Sequence, residues 1–229
     1  MSIGRLATKR MKKKPTDRII EVLSTKSSTK QLVHRNVLST FARLKGVLIQ
    51  LAAELNAAVC DIDRHVVVEF FDRGEFEAEI RFSGDALVFQ VHTNAFALPP
   101  DHALRKLPEA KSDPLFAYFG MIHVYNFLAD SFRMNRLNDA GYLLGRILIN
   151  KDGRAMLEGH DKLTRALSEG PVDEALLKDW VQQAILYAMA FDLVASPFEG
   201  LEEVSVAQFL DVSGQLKQRT AKTLGFRPS

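Results

Sequence analysis

The sequence predicts an α+β protein: a mostly antiparallel sheet of about five strands (a three-strand meander plus a hairpin) covered by a long N-terminal helix, a buried central helix and a C-terminal helical group. Three observations predict it. A proline-free stretch of about thirty residues repeats its apolar side chains at threes and fours. Glu75 to Phe82 alternates strictly between charged and apolar residues, flanked by turn signals. Finally, the strand candidates within each group are joined by links too short for crossovers, which favours antiparallel pairing.

The chain opens with a cationic stretch lacking periodicity, MSIGRLATKRMKKKP, read as a disordered basic tail over residues 1–15. Residues 16–229 are read as a single domain, with 161–229 as its C-terminal helical part. Thr16-Asp17 marks a helix start ahead of Ile19, Ile20, Val22 and Leu23, and the polar run Ser24 to Thr29 punctuates the chain. From about residue 29 to 58, Val33, Val37, Phe41, Leu44, Leu48, Leu51 and Leu55 form one stripe of a helix roughly 40 Å long. A helix of that length either spans the whole sheet or offers part of its stripe to another chain.

The meander follows. Residues 64–71 are rich in Val and Phe, and Asp72-Arg73-Gly74 turns the chain. The next strand puts Phe76, Ala78, Ile80 and Phe82 on one face, and Glu75, Glu77, Glu79 and Arg81 on a face expected to be wet. Ser83-Gly84-Asp85 turns again into a third strand over 86–92. Residues 93–112 read as a long connection containing Pro99, Pro100 and Pro108, a length often found in lids, binding loops and dimer arms. Asp113-Pro114 then has the chemistry of a helix start, and the apolar segment to about Asn135 is read as the buried central helix. A hairpin around Lys151-Asp152-Gly153 joins strands at 143–149 and 154–158. Helices are expected over 161–168, 172–195 and 205–220.

Composition places the chain among ordinary globular proteins, with 47% hydrophobic and 25% charged residues, so neither a disulfide nor a metal staple is required. The formal net charge of +2 conceals an asymmetry. The first 45 residues are strongly basic, the middle of the chain is acidic, and 217–227 is basic again. A basic arm on an acidic body holds a polyanion or pairs with the body of a second copy. The one cysteine, Cys60, cannot make an internal disulfide and fits a reducing, cytoplasmic location; it is read as a small buried residue at a helix end. No secretory signal is expected, because the basic start leads into no apolar core. No membrane span is expected either. The most apolar window, Leu115 to Phe132, is broken by Tyr118, Gly120, His123, Asn126 and Asp130.

Motifs exclude several chemistries. HxxxH, CxxC and HExxH are absent, which removes the common zinc signatures, and no metal or other cofactor is expected. Dinucleotide, P-loop and nucleophile-elbow glycine patterns are absent too. Glu75, Glu77 and Glu79 have the spacing of cation ligands on a strand, but the simpler reading is a solvated face that keeps an exposed strand soluble. On the central helix, His123, Asn126, Asp130 and Arg133 share one face at spacings of three, four and three. Buried there, they need partners, and Arg146 inside an apolar strand is the natural one for Asp130. His123, Asn126, Asp130 and Arg146 are therefore the candidate ligand site. Lys9, Arg10, Lys12, Lys13 and Lys14 are the candidate nucleic-acid contacts.

The preferred function is a non-enzymatic binding or assembly module. It acts through protein contacts helped by the basic arm, and forms a homodimer or larger homo-oligomer. One alternative is an enzyme or small-ligand sensor with its site between the central helix and the sheet. Another is a nucleic-acid-associated protein that uses the arm.

Overall fold

The computed structural model describes residues 14–160, 163–190 and 206. The chain begins with helix α1 (Pro15–Val22), with proline in the first turn where its missing N–H costs nothing. Helix α2 (Ser28–Val59) continues the same rod. The polar residues between them do not break it; they make a π-turn over Leu23–Ser27. Ser24 and Thr25 donate their hydroxyls back to the Glu21 carbonyl at 3.2 and 2.6 Å, side-chain bonding that competes with the regular ladder. At about 1.5 Å per residue the rod from 15 to 59 is over 60 Å long.

Six strands form one antiparallel meander in sequence order: β1 (Val68–Asp72), β2 (Glu77–Phe82), β3 (Asp85–Ala97), β4 (Tyr118–Leu128), β5 (Tyr142–Asn150) and β6 (Ala155–Gly159). The α+β class and the covering N-terminal helix are as the sequence predicts. The buried central helix is not found. Asp113 does accept the Leu115 N–H at 2.8 Å, but it caps only a short 3-10 turn, Pro114–Ala117. The apolar segment beyond is β4, the fourth strand, followed by the single turn α4 (Ala129–Arg133). The first half of β4 is covered on both faces and its second half carries rings on the outer face, so little polar alternation shows and the sequence reads like a buried helix. The helix expected at 161–168 is also absent where residues are described. Arg165 instead makes an isolated bridge to Leu157. Of the C-terminal helices, α5 (Glu174–Met189) is present, capped by Asp173 accepting from the Leu176 N–H. The helix expected at 205–220 lies outside the described residues except for Val206.

Helices α2 and α5 lie on one face of the sheet, here the inner face. Val33, Val37, Phe41, Leu44, Leu48 and Leu51 pack on Ile80, Leu87, Phe89, Ile122 and Ile147, and Trp180 and Val181 of α5 complete the layer. Gly120 permits close approach at the first of these contacts, since a Cβ there would stand 2.5 Å from Cγ2 of Val37. The far end of α2 is tied down by Asn56, which donates to the Val68 carbonyl at 2.5 Å and accepts its N–H at 2.8 Å. Lys45 reaches both Asp72 and the Gly74 carbonyl at the β1–β2 turn, each at 2.6 Å. α1 has no buried residue, and Ile19, Ile20, Val22 and Leu23 are all more than half exposed. The long rod thus spans the sheet with α2 and projects beyond it with α1.

The segment after β3 folds onto the opposite, outer face. Leu98 and Leu104 there pack on Phe119, Met121 and Leu148. The residues read as a loose connection over 93–112 thus begin as strand and continue as a small second core.

Candidate functional site: the outer face of the sheet

Strand register builds the outer face residue by residue. Gln90 pairs with Glu77 on β2 and with His123 on β4, and His123 pairs with Arg146, which pairs with Glu158 on β6. Because side chains alternate across a strand, these five lie in one row across the same face. The next row along β4 contains Tyr125, Val88, Glu79 and Phe71.

The two rows differ in burial. Glu79 is fully buried on the face expected to be wet, and Arg81 beside it is nearly so. The Glu79 carboxylate is gripped by Arg81 and by Arg73, whose Nε donates at 2.7 Å. Phe71 and Phe132 sandwich these guanidiniums, with the Arg81 carbon 4.2 Å from the Phe71 ring centre. The three glutamates therefore do not form one solvated set.

The His123 row remains open. His123 is half-buried between its neighbours. Burial, followed by the nearby His92 and Arg146, pushes its imidazole below the ordinary histidine value. Arg146 is exposed and donates from Nε to Glu158 at 2.7 Å. His102 bonds the other Glu158 oxygen through Nε2 at 2.8 Å, while its Nδ1 accepts the Leu104 N–H. Burial raises the Glu158 carboxyl, but the bonds from His102 and Arg146 outweigh this and hold it below the usual range.

Six rings form a chain along this face. Phe96 meets His92 edge-on at 4.7 Å between centroids, His92 meets His123 at 6.0 Å, and His123 meets Tyr125 at 5.7 Å. Tyr125 reaches Phe127 at 6.2 Å, and Phe127 reaches Phe132 at 5.2 Å. All six are half-buried or exposed.

Of the four residues proposed from sequence as a ligand site, the structure brings two together. His123 and Arg146 are direct cross-strand partners. Asn126 pairs with Leu87 of the inner face and donates to Asp85 at 3.1 Å, where burial raises the Asp85 carboxyl against that bond. Asp130 sits in α4 and approaches Arg133, not Arg146, whose carboxylate partner is Glu158. The helical spacing that linked the four has no meaning in a strand, so the site between a central helix and the sheet does not exist. His92, Tyr125 and Phe127 were missed, although Met121, His123, Tyr125 and Phe127 recur every second residue.

Lys9, Arg10, Lys12 and Lys13 lie outside the described residues, and Lys14 is the exposed N-cap of α1. Cys60 is exposed, not buried. Among the described residues no group of three or more His, Cys, Asp or Glu side chains is arranged to hold a metal ion, and no helix is long and apolar enough to cross a membrane.

The class defined by these features is an α+β protein with one sheet face sealed by helices and the other carrying an open row of rings. No protein-family model matches the chain, nor does any curated protein or solved structure.

Proposed function

We propose that this chain is a non-enzymatic assembly module that works through protein contacts on the outer sheet face, and that its partner there is a second copy of itself. The observation that carries this reading is the unbroken row of six rings on a half-exposed face. Aromatic residues and arginine are the types enriched at the centres of protein interfaces, where they supply large contact area with few rotors to freeze. Arg133 and Arg146 stand on this face with Glu69 and Glu77. Such a mixed charge pattern suits pairing with its own copy about a twofold axis, and it gives a polyanion no net attraction. The exposed apolar ridge of α1 offers a second place for the copies to meet.

Light scattering on the full chain at micromolar concentration tests the proposal. A dimer mass is expected for the natural protein. Tyr125→Arg should weaken the dimer by about 30-fold or more, the effect of losing one central hot-spot residue, with little change in thermal stability. A monomer mass for the natural protein, or a dimer indifferent to Tyr125→Arg and Phe127→Asp, overturns it.

A further inference from the structure

The crevice between α2 and the β5–β6 turn carries a guanidinium with no carboxylate partner among the described residues. Arg43 leaves α2 half-buried and donates to two neutral acceptors, the Val172 carbonyl and the Thr40 hydroxyl, the latter at 3.3 Å. Arg73, Arg81, Arg146 and Arg154, by contrast, each face a glutamate, while the half-buried Arg105 donates to the Leu98 carbonyl. A partly desolvated charge balanced only by neutral groups is costly, and an anion relieves the cost.

The surroundings fit such an anion. The crevice has a volume of about 280 Å³ and is lined by Asn36, Ser39, Thr40, Arg43, Lys151 and Asp152 on its polar side. Lys151 is held between Asp113 at 3.0 Å and Asp152 at 3.3 Å, so its charge is already matched. Arg43 is therefore the cation of the crevice that has no ion-pair partner among the described residues. Asn36 is spent on the Asn150 and Lys151 carbonyls at 3.1 and 2.8 Å, which fixes the floor. Ser39 stands exposed at the rim, one turn of α2 from Arg43, with its hydroxyl available to a ligand. Guanidinium N–H groups beside a hydroxyl match an oxyanion, because the fork bonds two oxygens at once.

We propose that this crevice binds an oxyanion, the phosphoryl or carboxylate group of a small molecule, with Arg43 as the principal contact and Ser39 at the rim. The site is separate from the outer face and does not depend on the assembly reading.

The test titrates the full chain with sodium phosphate and, separately, with sodium citrate, each matched in ionic strength with sodium chloride, following backbone amide resonances. Saturable shifts centred on Ser39, Arg43 and Asp152 are expected with at least one oxyanion; the tighter of the two identifies the group as phosphoryl or carboxylate. Arg43→Gln should abolish saturation. Because Arg43 also holds the Val172 carbonyl, a second variant guards against misfolding: Ser39→Asp puts a carboxylate at the rim and should weaken binding at least tenfold without altering the melting temperature. The proposal is overturned if neither anion gives a saturable shift up to about 10 mM, or if both variants bind as the natural chain does.

Discussion

The two faces of this sheet are made by the same six strands, yet they follow different rules. On the inner face Ile80, Leu87, Phe89, Ile122 and Ile147 are at most 2% exposed under α2 and α5. On the outer face their immediate neighbours along the chain are Glu79, Val88, Gln90, His123 and Arg146, whose environments run from full burial to exposure. One face is a uniform apolar seal. The other is a patchwork: a small core under the 98–117 segment, an arginine–glutamate knot under Phe132, and an open row of rings between them. The difference teaches that stability and recognition are divided by a period of two. Each strand contributes alternate residues to a layer that must exclude water and to a layer free to carry chemistry.

The largest expected effect breaks the inner seal. Phe89→Ala should cost about 3–5 kcal/mol, because a buried ring facing α2 and α5 leaves a cavity the helices cannot close. Tyr125→Ala, one strand over on the outer face, should cost a small fraction of that in a monomer held by dilution. Urea denaturation of both variants checks the ratio, and equal losses would show that the outer face is as structural as the inner.

Next in size is a contrast within the outer face itself. Glu79→Ala leaves Arg81 buried without its partner and should cost about 3 kcal/mol, the usual penalty for orphaning a buried charge. Glu77→Ala, two residues earlier on the same strand face and half-exposed, should stay within about 0.5 kcal/mol. Chemical denaturation again reads both. A similar loss from each would mean that the knot around Glu79 carries no special weight.

That contrast also marks how far the sequence could be read. The alternation from Glu75 to Phe82 reveals the strand and its inner face, because Ala78, Ile80 and Phe82 are all buried as the pattern requires, although the strand begins only at Glu77 and Phe76 before it is exposed. It does not reveal that Glu79 is buried, since the cover comes from Phe132, some fifty residues away and beyond β4. The stripe of α2 is legible because its other side is wet, and β2 is legible because its outer side is charged even where it is buried. β4 is illegible because Gly120, Ile122 and Val124 meet the helices while Phe119 and Met121 meet the 98–117 segment. The first half of β4 is covered on both sides and the outer face of the second half carries rings, so little polar alternation marks the strand, and the helix-start chemistry of Asp113-Pro114 then decided wrongly. Half of the candidate site survived that error. His123 and Arg146 are neighbours, but through strand pairing and not through the helical face that suggested them.

The smallest effects concern protons on the open row, and they separate His123 and Glu158 from the apolar side chains that seal the other face. Burial, together with His92 and Arg146, lowers the folded-state value of His123 below its ordinary 6.5. The unfolded chain therefore binds the proton more readily, and stability present above that value declines as pH falls through 6.5 toward the folded-state value. Glu158 acts in a lower window. Its carboxyl is held below 4.5 by His102 and Arg146, so its contribution is intact above 4.5 and is lost as pH falls further. Melting temperature followed from pH 8 to pH 3 should thus drop in two stages. His123→Gln should flatten the first and Glu158→Gln the second, while Phe89→Ala should lower the whole curve without changing either slope. If His123→Gln left the first stage intact, the open row would not be its source. The proton would then be taken up elsewhere, and the two faces would be equally silent near neutrality.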